Sequence, residues 1–199
     1  MKKAFFLLMA VGFTSLSYGQ KKIMVESPEK NEKKEIDYKV VGAPMPKIRL
    51  VTLDTFKIDD SPKGRKKKQV HTTVTQEYTE NDFKNKKALF VMMFNPTCGH
   101  CEEQTDNIEK NISKFGKSKF ILMANPVMKS YLPDFIKNHK VKDYPSMYIG
   151  IDSSEFITKT FMYSALPQIT IYDKDRKLVK IYNGEISIDS LLQYTNPKK

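Results

Sequence analysis

The chain has 199 residues, 40% of them hydrophobic, and carries 34 Lys+Arg against 23 Asp+Glu for a net charge of +11. That length holds one domain with a sizeable core and not comfortably two, and no stretch stays apolar over the roughly 20 residues that a membrane-spanning helix needs. The basic residues are scattered, and the one true cluster, Lys63-Gly64-Arg65-Lys66-Lys67-Lys68, has no interleaved aromatics, which argues against a nucleic-acid partner. A solvated surface loop is the expected reading of that cluster, with an anionic partner as the less favoured alternative.

In chain order, Lys2 and Lys3 precede an apolar stretch over 4–13, and Gly19 offers a small residue for cleavage. A basic start, a short apolar core and a small residue at the cut make a signal peptide over 1–19. No cysteine follows the apolar core, so no lipoprotein anchor is expected. The mature chain, with net charge +9 once Lys2 and Lys3 are gone, is expected to be soluble and periplasmic or secreted, where a disulfide persists. Residues 20–37 are rich in Lys and Glu and read as a flexible leader, so the folded domain spans 38–199.

Gly42-Ala43-Pro44-Met45-Pro46 is a turn-rich lead-in to a strand over 47–53, and 57–72 reads as an exposed loop or hairpin tip carrying the basic cluster. A helical turn follows at 79–83, then an apolar strand over 88–94. Ile108, Ile112 and Phe115 recur at helical spacing, predicting a helix that starts at Cys98 and runs over 102–115. Next come a strand at 119–124 stopped by Asn125-Pro126, a helix at 133–139, a short strand at 145–151 and a helix at 153–163. Strands at 169–172 and 177–182 flank the turn 173–176, and a helix at 187–194 closes the chain. The order β-α-β-α, then β-β-α, predicts an α/β fold with a mixed sheet flanked by helices.

The only two cysteines stand in Asn95-Pro96-Thr97-Cys98-Gly99-His100-Cys101, between a buried strand and a helix start. By itself a C-x-x-C can close a small-ring disulfide, supply half of a metal site or lie idle. At a helix start it favours redox chemistry, because unpaired backbone N–H groups and the helix dipole stabilise a thiolate. Cys98 is therefore the expected attacking nucleophile, and Cys101, one turn on, the thiol that resolves the mixed disulfide. Gly99 removes bulk between them, and His100 adds a cation beside the thiolate when it is protonated. No cofactor beyond the Cys98–Cys101 disulfide is called for, and no metal.

Strand, C-G-H-C, helix, strand, helix, then Ala165-Leu166-Pro167 and a hairpin with a last helix resembles the layout of the thioredoxin fold. The four-residue motif is identical to that of protein disulfide isomerases. The whole chain is more similar to the TlpA/ResA-like thioredoxins that bacteria export, which share a signal sequence and a lead-in like Val41-Gly42-Ala43-Pro44-Met45-Pro46. The resemblance covers residues 40–195 apart from an apparent basic insertion at 57–76. It implies a thiol-disulfide oxidoreductase acting on cysteine-containing proteins, with a membrane electron donor as partner. It also implies a cis Pro167 against the C-x-x-C, keeping metal from bridging the thiols and exposing the backbone of Leu166 to a substrate chain.

Three positions depart from that family. Thr97 replaces the Trp usual before the first cysteine, Met92 stands where a buried acid often helps move the second cysteine's proton, and Leu166 is apolar where Thr or Val is common. Glu102 and Glu103 are expected to be solvated helix-surface carboxylates, and His139 a surface residue or helix-end cap. The family resemblance tilts toward reduction, whereas C-G-H-C tilts toward oxidation or isomerisation. Competing readings are an inert binding module on the same fold and a metal module, which would need two ligands from His71, His100 and His139. No G-x-S-x-G nucleophile motif appears.

Overall fold

The structure is a computed structural model that describes the backbone of residues 35–58 and 70–195, and side chains over 35–53 and 76–195. The predicted signal peptide, most of the leader and the cluster at 63–68 lie outside the described residues. Among the described residues, seven strands form one sheet: β1 (Arg49–Ile58), β2 (Val70–Thr79), β3 (Leu89–Phe94), β4 (Lys119–Ala124), β5 (Met147–Asp152), β6 (Gln168–Tyr172) and β7 (Leu178–Asn183). Their order across the sheet is β2-β1-β5-β4-β3-β6-β7. The central β3, β4 and β5 run parallel, while β1–β2, β1–β5, β3–β6 and β6–β7 pair antiparallel. Four α-helices accompany them among the described residues: α1 (Gly99–Lys110), α2 (Leu132–Asn138), α3 (Phe156–Phe161) and α4 (Ile188–Leu192).

Strand β3 is buried along all six residues, as a parallel strand covered on both faces must be. Phe90, Met92 and Phe94 alternate into a core shared with Ile108 of α1, Phe135 of α2 and Leu191 of α4. Leu89, Val91 and Met93 point the other way, toward Ile157 and Phe161 of α3. The result is an α/β molecule in three layers, and the continuous apolar run read from the sequence is the strand buried on both faces.

Three expectations change. Within the insertion expected at 57–76, the residues whose backbone is described, 57–58 and 70–76, are strand: β1 and β2 pair over ten residues, from Arg49↔Thr79 to Ile58↔Val70. The helix after Cys98 is not continuous to Phe115. It ends at Lys110, and a 3-10 turn Ile112–Phe115 follows Asn111, whose φ of −116° and ψ of 8° leave the helical region. The helix expected over 153–163 shrinks to α3. Its start is set by Asp152, whose fully buried carboxylate accepts from the backbone N–H groups of Ser154 (3.0 Å) and Ile157 (3.1 Å).

Parallel pairing decides where the chemistry sits. β3, β4 and β5 all end at one edge of the sheet, and the C-x-x-C leaves that edge from β3. Met93 pairs with Gln168 at the start of β6. That register sets Pro167 opposite Phe94, four residues before Cys98.

Candidate active site

Residues 95–97 turn the chain out of β3. The Asn95 side chain accepts from the Thr97 backbone N–H (2.9 Å) and hydroxyl (3.0 Å), and the Cys98 N–H donates to the Asn95 carbonyl (3.1 Å). Cys98 thereby becomes the N-cap of α1, with φ −102° and ψ 116°. Its carbonyl accepts from the N–H groups of Cys101 (2.9 Å) and Glu102 (3.1 Å), which starts the helix. The predicted helix start is thus found, with the first thiol on the cap and the second one turn inside.

The two thiols occupy different media. Cys98 is half-buried and Cys101 fully buried, and both are free thiols. Burial pushes the Cys101 thiol up to about 12, and the Cys98 sulfur beside it adds to the rise. Met92 is itself fully buried in the same core as Cys101.

The Leu166–Pro167 peptide bond is cis. The Pro167 carbonyl accepts from the N–H of Gly184 (2.8 Å), whose φ of +84° is the left-handed conformation that glycine adopts freely. Two residues on, the Ile186 N–H donates to the Gln104 side-chain oxygen (2.8 Å), and Gln104 is buried on α1. The loop after β7 is therefore tied to the proline on one side and to α1 on the other. Between the ties, the Glu185 carboxylate contacts Nδ1 of His100.

Gly99 and His100 lie exposed in the first turn of α1, Leu166 is half-buried and Pro167 buried. His139 bears out the helix-end reading and corrects the surface one. It takes the C-cap position of α2 but is only 8% exposed, paired through Nδ1 with Asp106 (2.8 Å) and set against the Phe135 ring at 4.3 Å. Burying the imidazole there needs the Asp106 carboxylate, which only the packing of α1 on α2 supplies. Glu102 is half-buried and Glu103 exposed. His71 lies among the residues whose side chains are not described.

His100, Glu103 and Glu185 each bring one ligand-type atom within 4.8 Å of the others, the one such trio among the described residues. All three are exposed, so water competes for any cation there. Glu185 and Gln104 were not found by the sequence reading. Eighty-five residues separate His100 from Glu185, and no periodicity or motif spans that gap.

No family model and no curated protein sequence matches the chain. Solved structures do. A solution structure of a putative protein disulfide isomerase from Bacteroides thetaiotaomicron is 21% identical over 80% of this chain and 90% of its own, with a TM-score of 0.53. A DsbF homologue from Corynebacterium diphtheriae is 17% identical over 76% and 84%, with a TM-score of 0.53. The thioredoxin domain of a thiol-disulfide oxidoreductase from Bacteroides vulgatus is 17% identical over 79% and 99%, with a TM-score of 0.52. At these identities the likeness is one of architecture, and the architecture is the thioredoxin fold.

Proposed function

We propose that the protein is an exported thiol-disulfide oxidoreductase that exchanges disulfides with cysteine-containing proteins and runs as a reductase. The observation that carries the exchange chemistry is the asymmetry of the two thiols: Cys98 half-exposed on the cap of α1, Cys101 buried and held protonated; the reductive direction rests on the resemblance to the TlpA/ResA-like thioredoxins. One sulfur reaches the substrate, and the other reaches only the first sulfur.

In reduction, the Cys98 thiolate attacks one sulfur of a substrate disulfide. A Cys98–substrate bond forms, the substrate S–S bond breaks, and the released thiolate takes a proton. Cys101 then gives up its proton and attacks the Cys98 sulfur, expelling the second substrate thiol. The protein loses two electrons and two protons, the substrate gains both, and the Cys98–Cys101 disulfide remains. Turnover as a reductase needs an electron supply, for which a membrane donor is the proposed partner. Leu166, beside the cis peptide, is the proposed contact for the substrate backbone. Export rests on the basic and apolar pattern of residues 1–19, and no described helix is long and apolar enough to cross a membrane.

The test is the reduction potential of the full chain against a glutathione series, with thiols labelled and weighed. A value near −270 mV, as in thioredoxin, is expected of a reductant, whereas about −180 mV or above marks an oxidase or isomerase. Cys98→Ser is expected to abolish exchange and Cys101→Ser to trap a mixed disulfide with substrate. Full activity and no adduct in both variants would sink the redox reading and leave an inert or metal-binding module on this fold.

A further inference from the structure

Glu185 approaches the C-x-x-C from the far end of the chain, and the fold fixes it there twice. Gly184 before it donates its N–H to the Pro167 carbonyl, and Ile186 after it donates to the side chain of Gln104, one helical turn beyond His100. Gln104 is 1% exposed, so this second tie is made inside the protein. An ionised carboxylate only accepts hydrogen bonds, so with Glu185 ionised Nδ1 of His100 is the donor in this contact. The imidazole is thereby oriented away from free rotation at the motif.

We propose that Glu185 is a positioning residue that holds His100 and cancels its charge, keeping the Cys98–Cys101 pair reducing in spite of the C-G-H-C motif. This rests on the redox reading above. Alone, the imidazole carries zero or one positive charge. Paired with the carboxylate, the two side chains together carry minus one or zero, so neither state presents a net cation to Cys98. Glu103, the third member of the trio, adds another negative charge, and the neighbouring Glu102 carboxylate adds to the rise of the Cys101 thiol. A cation beside the thiolate stabilises the dithiol form and makes a disulfide more oxidising. Cancelling it moves the balance toward a reductant. Glu185 thus answers the conflict between a motif that reads as an oxidant and a chain that otherwise reads as a reductant.

The experiment uses the full chain in the presence of EDTA. The protein dithiol is equilibrated with glutathione disulfide, giving protein disulfide and two reduced glutathiones. Alkylation of Cys98 by iodoacetamide is followed against pH in parallel. Glu185→Gln is expected to shift the equilibrium toward the protein dithiol about two- to fivefold, the effect of roughly one charge through solvent-screened contact, and to lower the alkylation midpoint. Glu185→Asp keeps the charge and is expected to stay within about twofold of wild type. Glu103→Gln removes a charge from the trio without releasing Nδ1, so its shift is expected to be the smaller. A Glu185→Gln protein that is unmoved, moves toward the disulfide, or merely matches Glu103→Gln overturns the inference while the redox reading stands. A wild-type protein that forms no Cys98–Cys101 disulfide overturns both.

Discussion

Two residues separate Cys98 from Cys101, and the solvent boundary falls between the two thiols. The cap position leaves Cys98 half-exposed, while one turn of helix carries Cys101 into the core with Met92 and Ile108. The same helix buries a less expected group. Glu109 has one carboxylate oxygen buried without a hydrogen-bond partner, and burial raises its carboxyl to about 7, with Asp106 and Asp143 adding to the rise. The sign follows from linkage: the folded protein binds this proton more tightly than the unfolded chain, so the stability it confers is present at acid pH and lost as pH climbs from about 4.5 to about 7. Glu109→Gln is accordingly expected to unfold at a higher urea concentration than wild type at pH 8, with the gain shrinking toward pH 4.5. Equal gains at both pH values would remove burial of the charge as the cause.

At the scale of elements, β3 is legible in the sequence because a strand buried on both faces needs an unbroken apolar run. α1 is legible only at its start: of the apolar residues at helical spacing, Ile108 falls inside it, while Ile112 and Phe115 belong to the 3-10 turn beyond Lys110. β2 was harder to see. Val70 to Thr79 alternates β-branched residues well enough for a strand, but the neighbouring basic cluster made the region read as loop, and a strand's partner is a tertiary fact. The close contact of β1 with β5 is of the same kind. A Cβ added to Gly150 would sit 2.4 Å from the Val51 carbonyl oxygen and 2.8 Å from its carbon. Backbone, unlike a side-chain tip, cannot step aside cheaply, so Gly150→Ala is expected to cost about 1–3 kcal/mol or more. A thermal melt measures it, and an unchanged midpoint would mean that the two strands are farther apart than described.

Across the whole molecule, Arg176 joins pieces that are remote in sequence. It is 9% exposed in the β6–β7 turn, with φ of +59°. Its guanidinium donates to the carbonyls of Lys87 (2.7 Å), Asp173 (2.8 Å) and Phe83, and to the Asn85 side chain (3.2 Å). The Arg176 carbonyl accepts from the Met45 N–H (2.8 Å). One residue thus fastens the hairpin after Pro167 to the start of β3 and to the chain before β1. Arg176→Ala takes the guanidinium donor from the buried Phe83 carbonyl and the part-buried Lys87 carbonyl, while the Asp173 carbonyl keeps the residue-176 backbone N–H (3.1 Å); the cost is on the order of 3 kcal/mol, and Arg176→Lys is expected to recover only part because an ammonium lacks the planar fork. Denaturant midpoints of the two variants check this, and indistinguishable values would argue that packing rather than the fork holds the hairpin.

What the amino-acid sequence by itself determined is local: the C-x-x-C at a helix start, the strand that delivers it, the order of helices and strands from β3 onward, and the proline ahead of the final hairpin. Each follows from neighbours in the chain, through periodicity, turn residues or capping. Tertiary structure alone decided which thiol is buried, that His139 is an interior residue paired with Asp106, that β2 extends the sheet, and that Glu185 meets His100. These depend on elements tens of residues apart being packed together, where burial and a distant charge, not the local pattern, set the chemistry of each side chain.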